Sequence, residues 1–240
     1  FNNLVDVDAA LDCVREFEQP AAVVVKHTNP CGVAEHTSLE QAYRIAREAD
    51  SLSAFGGIVA LNRPCDLATA KAVAETFIEC IIAPSFDAEA LELLRAKKAL
   101  RILATGAWLG PDFAEAHMKR IGGGLLVQDR DATKVNEIRA GRVVTTRQPT
   151  ADELVALDFA WKVTKHVKSN AIVLAKPGRT VGVGAGQMSR VVSVEIAAKK
   201  AGELAKGSVL ASDAFFPFAD GVEAAVAAGA VAIAQPGGSV

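Results

Sequence analysis

The residues with the clearest chemical potential stand together at Lys26-His27-Thr28-Asn29-Pro30-Cys31-Gly32. A lysine beside a histidine sets a fixed cation next to a titratable base, a pairing suited to proton abstraction with charge stabilisation. The cation favours the uncharged ring, the form able to accept a proton. Neighbouring side chains of a strand point to opposite faces, so Lys26 and His27 can share a site only where a strand ends. Pro30 biases Asn29 toward an extended backbone and is expected to end regular pairing. Residues 26–32 are therefore expected to leave the sheet at a strand's carboxyl end, where open α/β sheets bind ligands. The bland alternative is a solvated loop with an incidental histidine. A zinc reading of His27, Cys31 and His36 lacks the paired ligand spacing such sites use, so no zinc is expected.

Four further stretches carry chemistry or packing. Lys168-Ser169-Asn170 precedes an apolar run, and the Asn amide offers a donor and an acceptor at a strand edge; a turn residue is the alternative. Gly182-Val183-Gly184-Ala185-Gly186-Gln187-Met188-Ser189-Arg190 runs from a strand into a helix start, either an anion site reinforced by Arg190 or close helix–strand packing. Its spacing is not that of a dinucleotide fingerprint. Ser212-Asp213-Ala214-Phe215-Phe216-Pro217-Phe218-Ala219-Asp220 puts three rings between two acids. The rings could pack a flat heterocycle while Asp220 accepts its N–H groups, or they could simply fill a core. Gln235-Pro236-Gly237-Gly238-Ser239 follows a strand and could offer backbone amides.

These stretches need a scaffold, and hydropathy patterning supplies one. Helices are expected over 5–18, 39–49, 66–77, 87–98, 150–166, 189–205 and 221–228, with Ser38, Asp66 and Thr150 as caps. Strands are expected over 21–25, 58–61, 80–83, 100–104, 171–175, 180–183, 208–211 and 231–234, with 176–179 as a hairpin turn. From 128 to 150 the chain reads as irregular. Strands alternating with helices argue for an α/β fold. A boundary near residue 120 divides it into residues 1–120 and 121–240, which share a loose rhythm.

The chain has 240 residues, 50% hydrophobic and 22% charged, with mean hydropathy +0.23, which excludes a disordered polymer. Roughly 70–75% of its surface can be buried on folding, so a core needs neither disulfides nor metal. With 26 basic and 28 acidic side chains the net charge is -2, giving no field for nucleic acid or an anionic membrane. Four cysteines without a Cys-x-x-Cys pair indicate a reduced, cytoplasmic setting. No apolar run is long enough for a membrane span, and no leader pattern opens the chain.

Taken in order, the motifs at 26–32, 53–57 (Ser-Ala-Phe-Gly-Gly), 81–84 (Ile-Ile-Ala-Pro), 123–131 (Gly-Gly-Leu-Leu-Val-Gln-Asp-Arg-Asp), 168–170, 184–190, 212–218 and 235–239 resemble the AICAR transformylase part of the bifunctional purine-biosynthesis enzymes. The resemblance covers essentially the whole chain. It implies formyl transfer from 10-formyltetrahydrofolate to the 5-amino group of AICAR, giving FAICAR. It implies two cytidine-deaminase-like α/β/α subdomains with mixed sheets and without zinc, and a homodimer with sites near the subunit interface. Carried over by position, His27 is the proton acceptor, Lys26 the transition-state stabiliser and Asn170 the orienting residue. Gly56, Glu79, Phe215 and Arg190 line the AICAR pocket, and Val191, Asp220, Ser239 and Val240 lie on the folate side. A potassium ion is implied near Ser169 and Asp213. Relatives carry an IMP cyclohydrolase domain before this region and an Arg-Tyr pair for the AICAR phosphate. Neither occurs here, so the chain reads as a fragment, and a catalytically silent unit that only binds or dimerises is the competing expectation.

Overall fold

The computed structural model describes residues 1–107, 116–131 and 137–238. Its elements run α1 (Asn2–Val14), β1 (Ala21–Lys26), β2 (Asn29–Glu35), α2 (Leu39–Glu48), α3 (Ser51–Ala54), β3 (Ile58–Leu61), α4 (Leu67–Ala74), β4 (Cys80–Ala83), α5 (Ala88–Arg95) and β5 (Arg101–Ala104). They continue with β6 (Ala116–Ile121), β7 (Gly124–Asp129), α6 (Glu137–Ala140), α7 (Ala151–Thr164), β8 (Ile172–Lys176), β9 (Arg179–Gly184), α8 (Arg190–Ala201), β10 (Val209–Ser212), α9 (Ala219–Ala228) and β11 (Ala232–Ala234).

Among the described residues nine strands form one mixed sheet in the order β11-β10-β8-β9-β2-β1-β3-β4-β5. β1 shows why it sits inside. Val23 and Val25 face a core shared with α1 and α7, while Ala22 and Val24 face one shared with α2 and α4. Both faces are covered, so the run is apolar without alternation. α8 and α9 extend the second layer over β8 and β10. The result is a three-layer α/β/α arrangement.

The two halves repeat one plan: helix, hairpin, helix, strand, helix, strand. Ala10 and Ala160, Val23 and Val173, and Gly32 and Gly182 occupy matching places. The halves meet at β2 and β9, where Ala34 pairs with Arg179. There the Thr180 hydroxyl accepts from the Val33 N–H at 2.9 Å and donates to its carbonyl at 3.2 Å. Gly32 and Gly182 let a helix pack closely. An added Cβ would stand 1.9 Å from the Ala46 carbonyl oxygen in the first half and 2.1 Å from that of Ala197 in the second.

Several expectations need correction. Residues 26–32 do not leave the sheet: the chain reverses at His27 and Thr28 and re-enters as β2. Pro30 is accommodated opposite Val25 where the register shifts, so its missing N–H breaks no regular ladder. Residues 116–129 form a separate two-stranded hairpin, β6–β7, where no strand is expected, and its second strand runs into the stretch from 128 read as irregular. Its side chains are exposed on both strands, so the periodicity of a buried face is missing. α1 begins at Asn2 and ends at Val14, and α4 stops at Ala74. Ser38, Asp66 and Thr150 do cap their helices, Thr150 through a capping box with Glu153. Among the described residues no helix is long and apolar enough to cross a membrane.

Candidate functional site

Strand direction decides which motifs meet. β1 runs toward Lys26, and its antiparallel neighbour β3 therefore starts beside it, bringing in residues 53–57. β4 and β5 run parallel to β3, so Glu79 and Arg101 stand at the same end. Asn29, on β2, lies at the end where β9 finishes at Gly184 and β8 begins at Ile172. β10 and β11 finish there too, which adds residues 212–218 and 235–238. One end of one sheet thus collects eight separate stretches. The motif at 81–84 is mostly strand β4 itself, and its Pro84 lies at the opposite end.

Hydrogen bonds tie these stretches to one another. Lys26 Nζ donates to the Phe55 carbonyl at 2.8 Å. His27 is exposed at the turn, and its carbonyl accepts from Thr28 Oγ1 at 2.7 Å and Asn29 Nδ2 at 2.9 Å. Asn29 Oδ1 accepts from the Lys168 N–H at 2.8 Å, which joins the Lys-His turn to the Lys-Ser-Asn loop. The Ser169–Asn170 peptide is cis. Asn170 is held at both ends of its amide: Nδ2 donates to the Gln187 carbonyl at 2.8 Å, and Oδ1 accepts from Arg190 Nη2 at 2.6 Å.

Arg190 is the hub of the second half. Nη1 donates to Ser212 Oγ at 2.8 Å and to Asp213 Oδ1, which also accepts from the Ala171 N–H at 3.0 Å. Burial works against the Asp213 charge. Hydrogen bonds from Ser169, Arg190 and the Ala171 N–H outweigh it and hold the carboxyl below the usual carboxylate range. Of the two readings of the Gly-rich stretch, packing accounts for Gly182 and Gly184. A Cβ on Gly184 would stand 1.9 Å from the Ser193 carbonyl oxygen.

The remaining candidates are more loosely gathered. Glu79 pairs with Arg101 at 2.7 Å. Gly56 takes φ +72° beside the Phe77 ring, which itself meets Phe55 with centroids 5.4 Å apart. Phe215 lies over Gly238, and Phe216 packs on Gly221 and the second-half core. Phe218 is 74% exposed and Asp220 is exposed, its Oδ1 accepting from the Gly221 N–H at 2.7 Å. Val191 is partly buried near the start of α8. Ser239 and Val240 lie outside the described residues. Cys31 is buried, and burial pushes its thiol up to about 12, which marks a packing residue rather than a nucleophile. Among the described residues no group of three or more His, Cys, Asp or Glu side chains is gathered as a metal would need.

A family model described as "AICARFT/IMPCHase bienzyme" matches residues 1–200. The chain belongs to the AICARFT/IMPCHase bienzyme family. It is 67% identical over 240 residues to the bifunctional purine biosynthesis protein PurH of Sorangium cellulosum. PurH proteins of a Thermoanaerobacter species and a Cyanothece species are 55% and 56% identical over 239 and 243 residues. Each alignment covers 100% of this chain and 46% of the relative, so the chain spans about half the length of these bienzymes.

Two residues of this sheet end carried no local sign in the sequence. Arg101 reads as an ordinary strand residue until Glu79 is placed beside it. Asp6, on α1, has its Oδ1 2.7 Å from the Thr28 N–H, though 22 positions separate them.

Proposed function

We propose that this chain carries a formyl-transfer site, moving the formyl group of 10-formyltetrahydrofolate to the 5-amino group of AICAR to give FAICAR. The observation that supports it most is the Lys26-His27 turn at the sheet end where Asn29 reaches the Lys168–Asn170 loop, in a chain of the bienzyme family. The AICAR amine is conjugated with the imidazole carboxamide and is a poor nucleophile. His27 takes its proton as the nitrogen bonds to the formyl carbon. The folate N10 then leaves with the C–N electron pair and is protonated. Lys26 uses one N–H on Phe55, and its other donors meet the oxyanion that develops on the formyl oxygen. Asn170, fixed at both amide ends, orients the reacting groups.

Gly56, Glu79 and Phe215 line the AICAR side. Arg190 acts there through Asn170 and Asp213. Val191, Asp220, Ser239 and Val240 serve the folate. The working form is a cytoplasmic homodimer. Asp213 already carries the Arg190 guanidinium, a poor fit for a resident potassium ion on the same oxygen, and no step needs one.

Replacing His27 by Ala should lower formyl transfer by about 10²-fold or more, with AICAR binding kept within about tenfold. Unchanged turnover in a formyl-transfer assay ends the general-base assignment. A second reading, a unit that binds without turning over, draws on the 46% coverage of the relatives. Equal folate binding by this chain and a full-length relative, with turnover only in the latter, would favour it.

A further inference from the structure

His27 and Thr28 both take positive φ, 53° and 61°. Two consecutive left-handed residues are the signature of a type I′ hairpin turn, whose usual occupants are Asn and Gly. For ordinary L-residues that conformation costs about 1–2 kcal/mol each, and a β-branched threonine is among the worst suited. Such a conformation persists where surrounding contacts over-determine it. The Thr28 hydroxyl and the Asn29 amide both point at the His27 carbonyl, which fixes the peptide on one side. The other side is fixed from α1: Asp6 Oδ1 accepts from the Thr28 N–H at 2.7 Å.

The second hairpin shows what happens without that demand. Its turn is Pro177-Gly178, and Gly178 takes φ +71° at no steric cost. The helix position that matches Asp6 is Ala156, which is buried in the core and offers no acceptor. An acceptor therefore stands on the helix where the turn is strained, and not where glycine has removed the strain.

We infer that Asp6 is a positioning residue for His27: its carboxylate holds the left-handed turn that presents the imidazole to substrate. The inference rests on the proposed role of His27 for its chemical meaning. Misplacing a reacting group by a fraction of its contact distance is enough to cost about tenfold to a hundredfold in rate.

The test compares Asp6→Ala, which removes the acceptor, with Asp6→Asn, which keeps an oxygen in place. Asp6→Ala should lower kcat about tenfold or more while KM for AICAR stays within about threefold, and Asp6→Asn should stay within about threefold of the parent in both. In NMR spectra the Thr28 amide should exchange faster and the His27 ring signals should shift in Asp6→Ala only. Parent-like turnover in Asp6→Ala, equal losses in both variants, or unchanged Thr28 exchange would overturn the inference. Failure of the underlying reading looks different. If His27→Ala keeps full turnover, or the parent chain does not turn over, the chemistry assigned to His27 falls. The Thr28 and His27 signals still decide whether Asp6 holds the turn.

Discussion

The two hairpins that meet at the middle of the sheet share a plan and differ where they turn. His27-Thr28 stands at the end that gathers the candidate site, and Pro177-Gly178 stands at the other. The contrast extends to the neighbouring loops. At the Pro-Gly end, Asn62 accepts from the Ala21 N–H at 2.7 Å and donates to the Phe17 and Gln19 carbonyls. Asp213 accepts from the matching Ala171 N–H at the other end, but there the network also runs through the side chains of Arg190, Asn170 and Ser212. One end is closed by the Asn62 amide, by Arg63 on the Asn62 and Glu18 carbonyls, and by a turn that glycine relaxes. The other adds the Arg190–Asp213 ion pair and a turn of two left-handed L-residues, the pattern expected where local fitness has been given up for a site.

Substitutions can break or sharpen this contrast. What the halves share should respond alike and most strongly. Gly32→Ala and Gly182→Ala each drive a Cβ into a helix carbonyl and should each cost about 3 kcal/mol in urea unfolding. A large loss in only one would undo the equivalence of the halves. The networks should then separate. Asp213 is held below its ordinary range by hydrogen bonds that outweigh its burial. It therefore stabilises the fold above the unfolded carboxyl value of about 4, and the contribution fades as pH falls through the lower folded value. The stability gap between the parent and Asp213→Asn should accordingly close as pH drops below about 4. Asn62→Ala should cost about 2 kcal/mol with no such pH dependence in the gap. The turns should show the smallest effect. Gly178→Thr should cost about 1–2 kcal/mol, while Thr28→Gly should be neutral or stabilising by less than about 1 kcal/mol. A thermal melt in which Thr28→Gly is the more damaging would remove the argument for strain at the first turn.

Much of the scaffold could be read from local pattern. Ser38, Asp66 and Thr150 mark helix starts because a cap acts on amides only three residues on. The tri-valine run predicts a buried strand because both of its faces need cover. The β6–β7 hairpin escaped because its exposed strands lack a buried face. The β2 strand escaped because Pro30 argues against pairing, and the register shift that tolerates it depends on β1.

The candidate site divides along the same line. Lys26, His27 and Asn170 stand out by residue type and by resemblance, since reactive groups and their neighbours in the chain are written next to each other. Asp6, Arg101 and the work of Arg190 do not.

Amino-acid order alone settled the α/β alternation, the caps and the family, while the close approaches at Gly32, Gly182 and Gly184 needed the packed helices to be seen. Strand direction and order decided which loops share an end of the sheet, and that end decided which polar groups meet. The reason is physical: capping and periodicity act over a turn or two of backbone, whereas a bond such as Asp6 to Thr28 or Asn29 to Lys168 forms only after distant segments have been packed side by side.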